Sequence, residues 1–478
     1  MESQKLILST FIFGLLFLAP THATIVYQNQ VVSAWPPEAL PDAPVNNKLK
    51  STKSPAYSLA KTTASTSGMG YYPQPKGHVL GLTLLVDFSD EPAHFTIDEV
   101  REWLNQPGFN RDNCNGSVRD YFLSVSNGYV DFQNEVFGYY RAIHPKSYYD
   151  GGSGYERSSI LRQEVLDYFD PMVDFSKYDN DNDGYTDAIS IAYAGAGAVW
   201  GQGIWPHSGW IGQNRDNVTI NRYMMTDIQY SFSLYVFAHE TAHMLFGWPD
   251  LYWFGDYCLL GNRMSDNNPT PVNDFFRADQ GWIPLISLDS EINQTFVVGG
   301  NDTAYRFVNQ ADTMEGFIWS YTKNQDRYSS LDGAGLLMYH YNMNVSGNTA
   351  SNSLQLRVVQ ASGSTSLQDE QWPWPGSHAA DFFDSPDYPV FSHATHNLAF
   401  WDDGAPSELV LRNILENRDS LFFTIGSEEP TQIPRIRPSL ASIRTPVYFT
   451  NPLGQITPVS QRNENPQAFV PRYPVYSK

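Results

Sequence analysis

Residues 236–252 read V-F-A-H-E-T-A-H-M-L-F-G-W-P-D-L-Y. His239 and His243 are four apart, so on an α-helix both imidazoles share one face about one turn from each other, close enough to bind one metal ion. Glu240 stands beside them, within reach of a water at such an ion as general base. Val236, His239 and His243 mark one face, and Leu234, Phe237, Thr241 and Leu245 supply an apolar face behind it, which predicts a buried helix. A tetrahedral catalytic zinc takes a third protein ligand and keeps one position open. Asp250 lies seven residues past His243. On an unbroken helix it would sit about 10 Å further along the axis. Gly247 is the residue type that ends helices in a left-handed turn, and Pro249 blocks resumption, so the chain is expected to fold back and return the Asp250 carboxylate. The plainer alternative is that Asp250 accepts backbone hydrogen bonds after the turn.

H-E-T-A-H-M-L-F-G-W-P-D-L-Y resembles the active-site segment of the immune inhibitor A family of secreted zinc metallopeptidases, with one more residue between His243 and Gly247 than the commonest form. The segment from Asp256-Tyr-Cys-Leu-Leu-Gly261 through Asn268-Pro-Thr-Pro271 to Gly281-Trp282 is also similar. Relatives often carry Met in a turn beneath the metal where Leu260 stands; Met264 is the nearest methionine here. The resemblance spans most of residues 76–426. It implies an α+β zincin-like catalytic domain (a twisted sheet plus the active-site helix) over 76–287, followed by an all-β sandwich-like domain over 288–426.

At the N-terminus, Lys5 precedes the apolar run Leu6–Ala19, and Thr21-His-Ala23 offers small residues for cleavage, so residues 1–23 read as a secretory signal peptide. The product is expected to be extracellular, with no integral membrane association. Residues 24–75 pass from proline-rich text into a Ser/Thr/Lys run and read as a propeptide or a linker. The chain of 478 residues exceeds what one core usually serves, and 41% hydrophobic residues are ample for two. A formal net charge of −21 argues against nucleic acid as partner. The expected partners are protein or peptide substrates, met by a monomer. Two cysteines exclude a disulfide-stapled scaffold, though Cys114 and Cys258 are candidates for one disulfide.

Several stretches predict core elements. Val79–Val86 reads as a buried strand. Thr96 and Glu99 form a capping box before a helix carrying Val100, Trp103 and Leu104. Ser117–Phe122 opens another helix, and Val130–Tyr140 resembles a hairpin. A second chemical signal is Asp179-Asn-Asp-Asn-Asp-Gly184-Tyr-Thr-Asp187. Asp179, Asp181, Asp183 and Asp187 are candidate ligands of a structural calcium ion, with Gly184 at the tight turn. No EF-hand follows, because a strand (Ala188–Tyr193) stands where its second helix would begin. An acidic turn without metal is the alternative. Asp381, Asp384 and Asp387 could host another cation, but loops of this composition are usually only solvated.

Beyond Pro284, short apolar runs at Thr295–Val298, Phe317–Tyr321, Leu336–Tyr341, Leu354–Val359, Leu409–Leu411 and Leu421–Ile425 predict the β module. His340 is expected to be structural, and relatives usually have an acidic residue where Asn342 stands. Residues 427–478 read as a flexible, proline-spaced tail. Sequons occur at Asn115, Asn217, Asn293, Asn301 and Asn344. Tyr252, Tyr257 and His207 are candidates for steadying an oxyanion, His207 equally for a core histidine. The functional expectation is a secreted zinc endopeptidase with Glu240 as base. The rival is an inactive peptidase-like binding or adhesion protein; a weaker third reading is a zinc hydrolase with another substrate.

Overall fold

The computed structural model describes residues 77–426 apart from 154, 199–201, 262–264, 289–292, 301, 346–353, 369–377 and 418, with the backbone of four short strands outside that range. The signal-peptide reading, Met264 and Asn301 lie outside the described residues, as does 24–75 apart from two of those strands. Residues 1–46 and 47–478 are two compact units. In the first, Ile25–Tyr27 pairs antiparallel with Gln30–Val32.

The second unit is built on a mixed sheet. Its central strands β1 (Gly77–Asp87), β2 (Val130–Arg141), β3 (Ile189–Ala194) and β5 (Val218–Ile228) run parallel, and β4 (His207–Arg215) closes one edge antiparallel to β5. The β4–β5 turn consists of Asp216 and Asn217, both with positive φ (49° and 68°), the two-residue geometry that matches strand twist.

Period-two alternation explains the layers. Leu82, Leu84 and Val86 of β1 face one core, with Ile189, Ile191 and Tyr193 of β3 and helix α3 (Glu156–Phe169). Val79 and Leu85 face the other, with α1 (Ile97–Asn105), α2 (Val118–Val125) and α4 (Tyr235–Phe246). Both α1 and α2 begin with full capping boxes, Thr96 with Glu99 and Ser117 with Asp120.

The stretch expected as a hairpin is the single strand β2. Asn134, a turn-type residue, is held inside the sheet instead. Its N–H donates to Asn105 Oδ1 at 2.7 Å, and its Oδ1 accepts from Thr83 Oγ1 at 3.1 Å. Gly138 marks a close approach and no turn, since a Cβ there would lie 1.8 Å from Ile97 Cδ1.

The later strands form two five-stranded sheets. Strands β6 (Glu315–Thr322) and β7 (Gly335–Asn342) are buried on both faces. Phe317, Trp319, Leu336 and Met338 meet Phe296, Phe423 and Leu411 of the other sheet, as in a sandwich. Ile318, Leu337, Tyr339 and Tyr341 share the apolar core of α1, α2 and α4, so this core runs without interruption from the first sheet into the second. Val447–Thr450, within the stretch read as a flexible tail, pairs parallel with Gln294–Val298, and Ile456–Pro458 pairs with it in turn.

The candidate disulfide does not form. Cys114 and Cys258 are free and buried, each with its own partner: Cys114 Sγ donates to the Phe232 carbonyl at 3.6 Å, and Cys258 Sγ accepts from Asn273 Nδ2 at 3.4 Å. Burial pushes the thiols up to about 12 and about 11, which keeps them protonated. Among the described residues no helix is long and apolar enough to cross a membrane.

Candidate metal centre

Helix α4 starts where the Leu234 and Tyr235 N–H groups donate to the Asp266 carbonyl, at 2.8 and 3.0 Å. It ends at Gly247, whose φ of 66° is left-handed and whose N–H donates to the His243 carbonyl at 3.0 Å. The chain then reverses, and Leu251 N–H reaches the Leu260 carbonyl at 2.7 Å.

The reversal brings Asp250 to the histidines. Its Oδ1 lies 3.2 Å from His239 Nε2 and 3.3 Å from His243 Nε2, and the two Nε2 atoms are 3.0 Å apart. His239 Nδ1 faces the Leu259 carbonyl at 3.0 Å and His243 Nδ1 faces the Trp248 carbonyl at 2.5 Å. A carbonyl only accepts, so both Nδ1 atoms carry the hydrogen, and in neutral rings both Nε2 atoms present lone pairs to the centre. Although 42% of the Asp250 side-chain surface is exposed, Oδ1 itself is covered and has no hydrogen-bond partner of acceptable geometry.

Three lone-pair atoms facing one another repel unless a cation lies between them. Ligand atoms on a tetrahedron with bonds of about 2.0–2.1 Å are about 3.3–3.4 Å apart, close to the spacing seen. Two imidazole nitrogens and a carboxylate are donors that suit zinc. Without a cation the cluster retains a proton. Burial pulls His243 down, but Asp250 outweighs it and lifts the imidazole to about 9. Burial likewise raises Asp250, yet the two imidazoles hold it well below the usual carboxylate range.

Glu240 is 7% exposed, and burial raises its pKa against the opposing pull of His239 and His243. Both histidines, Glu240 and Asp250 line a cleft of about 360 Å³, walled by His207, Ser208, Gly209 and Trp210 of β4 and by Tyr155 and Trp205. Tyr252 also lines it and hydrogen-bonds Asp250.

His207 is in the cleft wall with both nitrogens engaged. Nδ1 donates to the Trp205 carbonyl at 2.7 Å, which leaves Nε2 to accept from Tyr223 Oη at 2.8 Å; Arg162 Nη1 donates to that hydroxyl at 2.9 Å. Burial pulls His207 down to about 4, so the ring is neutral at physiological pH. Tyr257 is elsewhere: its hydroxyl donates to Asp381 Oδ2 at 2.7 Å, and it does not line the cleft.

Sequence reasoning passed over Tyr155, Trp210 and Arg222, all of which line the cleft. The available signal was one arginine inside the strand text Val218-Thr-Ile-Asn-Arg-Tyr-Met-Met225, just ahead of the metal-spaced histidines.

In the acidic loop, Asp179, Asp181 and Asp187 bring oxygens within 4.8 Å of one another. Asp183 Oδ1 accepts from Tyr185 N–H at 2.9 Å, while its own N–H donates to Asp179 and Asp181. Burial, with repulsion from Asp181 and Asp183 added, pushes Asp187 up to about 6 despite two hydrogen bonds from Asn180. That strain is what a calcium ion would relieve.

A third group, Glu315, His340 and Asp402, is equally compact. Here every nitrogen has a partner. Arg357 donates to His340 Nδ1, so Nε2 carries the hydrogen and donates to Glu315 Oε1 at 2.9 Å. Asp402 takes Arg357 at 2.6 Å and Asn342 at 2.7 Å. No family model matches the chain, and no curated protein is significantly similar to it.

Proposed function

We propose that the chain is a secreted zinc-dependent endopeptidase of the immune inhibitor A-like kind, with a zincin-like catalytic region that hydrolyses peptide bonds of extracellular proteins. The observation that carries this reading is the convergence of two imidazole lone pairs and the partnerless Asp250 Oδ1 beside the buried Glu240. Zinc held by His239, His243 and Asp250 would polarise the scissile carbonyl and bring the pKa of a water at its open position toward neutrality.

The remaining steps belong to the protein's own groups. Glu240 takes the proton of the attacking water and delivers it to the leaving nitrogen; its raised pKa suits both halves of that task. The Leu259 and Trp248 carbonyls fix the tautomer and tilt of the two imidazoles. Tyr252 orients Asp250. The edge strand β4 offers backbone donors and acceptors along the cleft for an extended peptide. His207, neutral and doubly bonded, shapes the wall and moves no proton. Asp179, Asp181 and Asp187 hold a structural calcium ion, and residues 1–23 direct export.

The test is casein digestion by purified protein and by Glu240→Ala, with zinc measured in both. Cleavage by the first, and a loss of roughly 10²–10⁴-fold in the second with zinc retained, supports the peptidase. Indistinguishable digestion by the two proteins removes Glu240 from the chemistry, and no digestion by either favours the inactive binding protein.

A further inference from the structure

Among the described residues, β4 pairs with β5 along one side and with no strand along the other. Its residues alternate between the two faces of the sheet. His207 stands opposite Met225, which belongs to the α3 core, and its ring hydrogen-bonds Tyr223 of the same core. Trp210 stands opposite Arg222, whose Nη1 donates to the Met244 carbonyl of α4 at 2.6 Å, so Trp210 is on the α4 side. The Arg222 guanidinium centre lies 5.5 Å from the Trp210 ring centroid and backs the indole.

Each face carries one exposed aromatic ring at this edge. Trp210 is 45% exposed on the α4 side. On the α3 side Tyr155 is 54% exposed, with its ring centroid 4.9 Å from that of buried Trp205 and 5.1 Å from that of His207. Both rings line the cleft that holds His239, Glu240 and His243. Neither position asks for an aromatic residue on grounds of folding. Tyr155 is the N-cap of α3 and its side chain caps nothing, where Ser, Thr, Asp or Asn would stabilise the helix. An exposed tryptophan on an open strand edge invites unwanted pairing, which charge or proline would prevent.

A peptide added to the open edge of β4 alternates its side chains between the same two faces, each sharing the face of the β4 residue opposite. The residue opposite His207 therefore points toward Tyr155, and the residue opposite Trp210 points toward the indole. Their spacing is i and i+3, about 10 Å along an extended strand. We infer that the cleft selects extended peptides with two aromatic side chains at i and i+3, one stacked on Tyr155 and the other on Trp210. This rests on the peptidase reading for the peptide's role as substrate, but the test uses binding and needs no turnover.

Zinc-loaded Glu240→Gln protein is titrated with two amidated hexapeptides of Ala and Ser, followed by the anisotropy of a fluorescein on a common Gly-Gly linker. One carries Phe at its second and fifth positions, the other at its second and fourth. Composition and label are the same, so general hydrophobicity cancels. The first is expected to bind about tenfold tighter, because the second turns both Phe rings to one face and leaves Tyr155 or Trp210 without a partner. Adding Tyr155→Ser or Trp210→Ser brings the ratio to about one. Tyr155→Ser changes a half-exposed side chain and decides alone should Trp210→Ser fail to fold. Equal or reversed affinities, no measurable binding of either peptide, or a ratio unmoved by Tyr155→Ser or by a folded Trp210→Ser overturns the inference. Absence of casein cleavage by the unsubstituted protein would instead strike the peptidase reading, leaving this ratio intact.

Discussion

Two clusters in this molecule contain nearly the same chemistry. His239, His243 and Asp250 meet at the end of a helix; Glu315 and His340, on the paired strands β6 and β7 of one sheet, meet Asp402 of a turn. In the second, hydrogens and lone pairs alternate: Arg357 donates to His340, His340 donates to Glu315, and the Asp402 backbone N–H adds a further donor to Glu315 at 2.7 Å. Glu315 is thereby held below the usual carboxylate range although burial opposes this, and burial keeps His340 neutral. In the first, backbone carbonyls take the Nδ1 hydrogens, so two neutral imidazoles and Asp250 turn only lone pairs to the centre, which calls for a cation there, or in its absence a proton. Ligand-type residues within reach of one another do not make a metal site. The sign of what they present to the shared point does.

That contrast is open to direct attack. The largest effect expected is all-or-none: His243→Ala loses its zinc on dialysis, whereas His340→Ala retains one zinc per chain, as read by atomic absorption. Zinc in His243→Ala, or its loss from His340→Ala, would reverse the assignment of the two clusters. Next, His340→Ala strips a buried carboxylate of one of its donors and leaves a cavity in the core, and is expected to cost about 3 kcal/mol in urea unfolding. A cost within experimental error would show that the second cluster is not a closed network.

A third prediction concerns His207, whose folded pKa of about 4 lies below the ordinary value near 6.5. The unfolded chain takes up this proton first. Its contribution is therefore complete above about pH 6.5 and is lost as pH falls toward 4, amounting to about 2.5 kcal/mol by pH 4.5. His207→Gln should show an acid loss smaller by that amount when unfolding is compared at pH 7 and 4.5; equal losses would mean that His207 is not held neutral. A fourth effect, of similar size, concerns the acidic loop. Calcium at a hundred times its Kd is expected to stabilise the chelator-treated protein by about 2.7 kcal/mol, and to do less in Asp187→Asn. An unfolding midpoint indifferent to calcium would leave the loop a plain turn.

The site was legible in the sequence as far as it is local. His239, Glu240, His243, Gly247 and Asp250 fall within twelve residues, and helix periodicity with helix-ending rules places all five. The capping residue Thr96 was legible for the same reason. What fixes the imidazoles was not, because the Leu259 and Trp248 carbonyls carry no side-chain signature. Arg222 enters through the register of β5 against Trp210 of β4, which sheet pairing decides and spacing does not. Tyr257 sits close to the proposed metal ligands in sequence but spends its hydroxyl on Asp381, 124 residues away. The hairpin expected over Val130–Tyr140 failed because Asn134 and Gly138, turn formers by type, here serve sheet hydrogen bonding and close packing against Ile97.

The central claim is that a divalent ion belongs between two imidazole lone pairs and the Asp250 carboxylate. Anomalous scattering from crystals of the zinc-treated protein, recorded at the zinc absorption edge, tests it most directly. The account predicts one strong peak bonded to His239 Nε2, His243 Nε2 and Asp250 Oδ1 at about 2.0–2.2 Å. No peak there, or a stronger one among Glu315, His340 and Asp402, would contradict it.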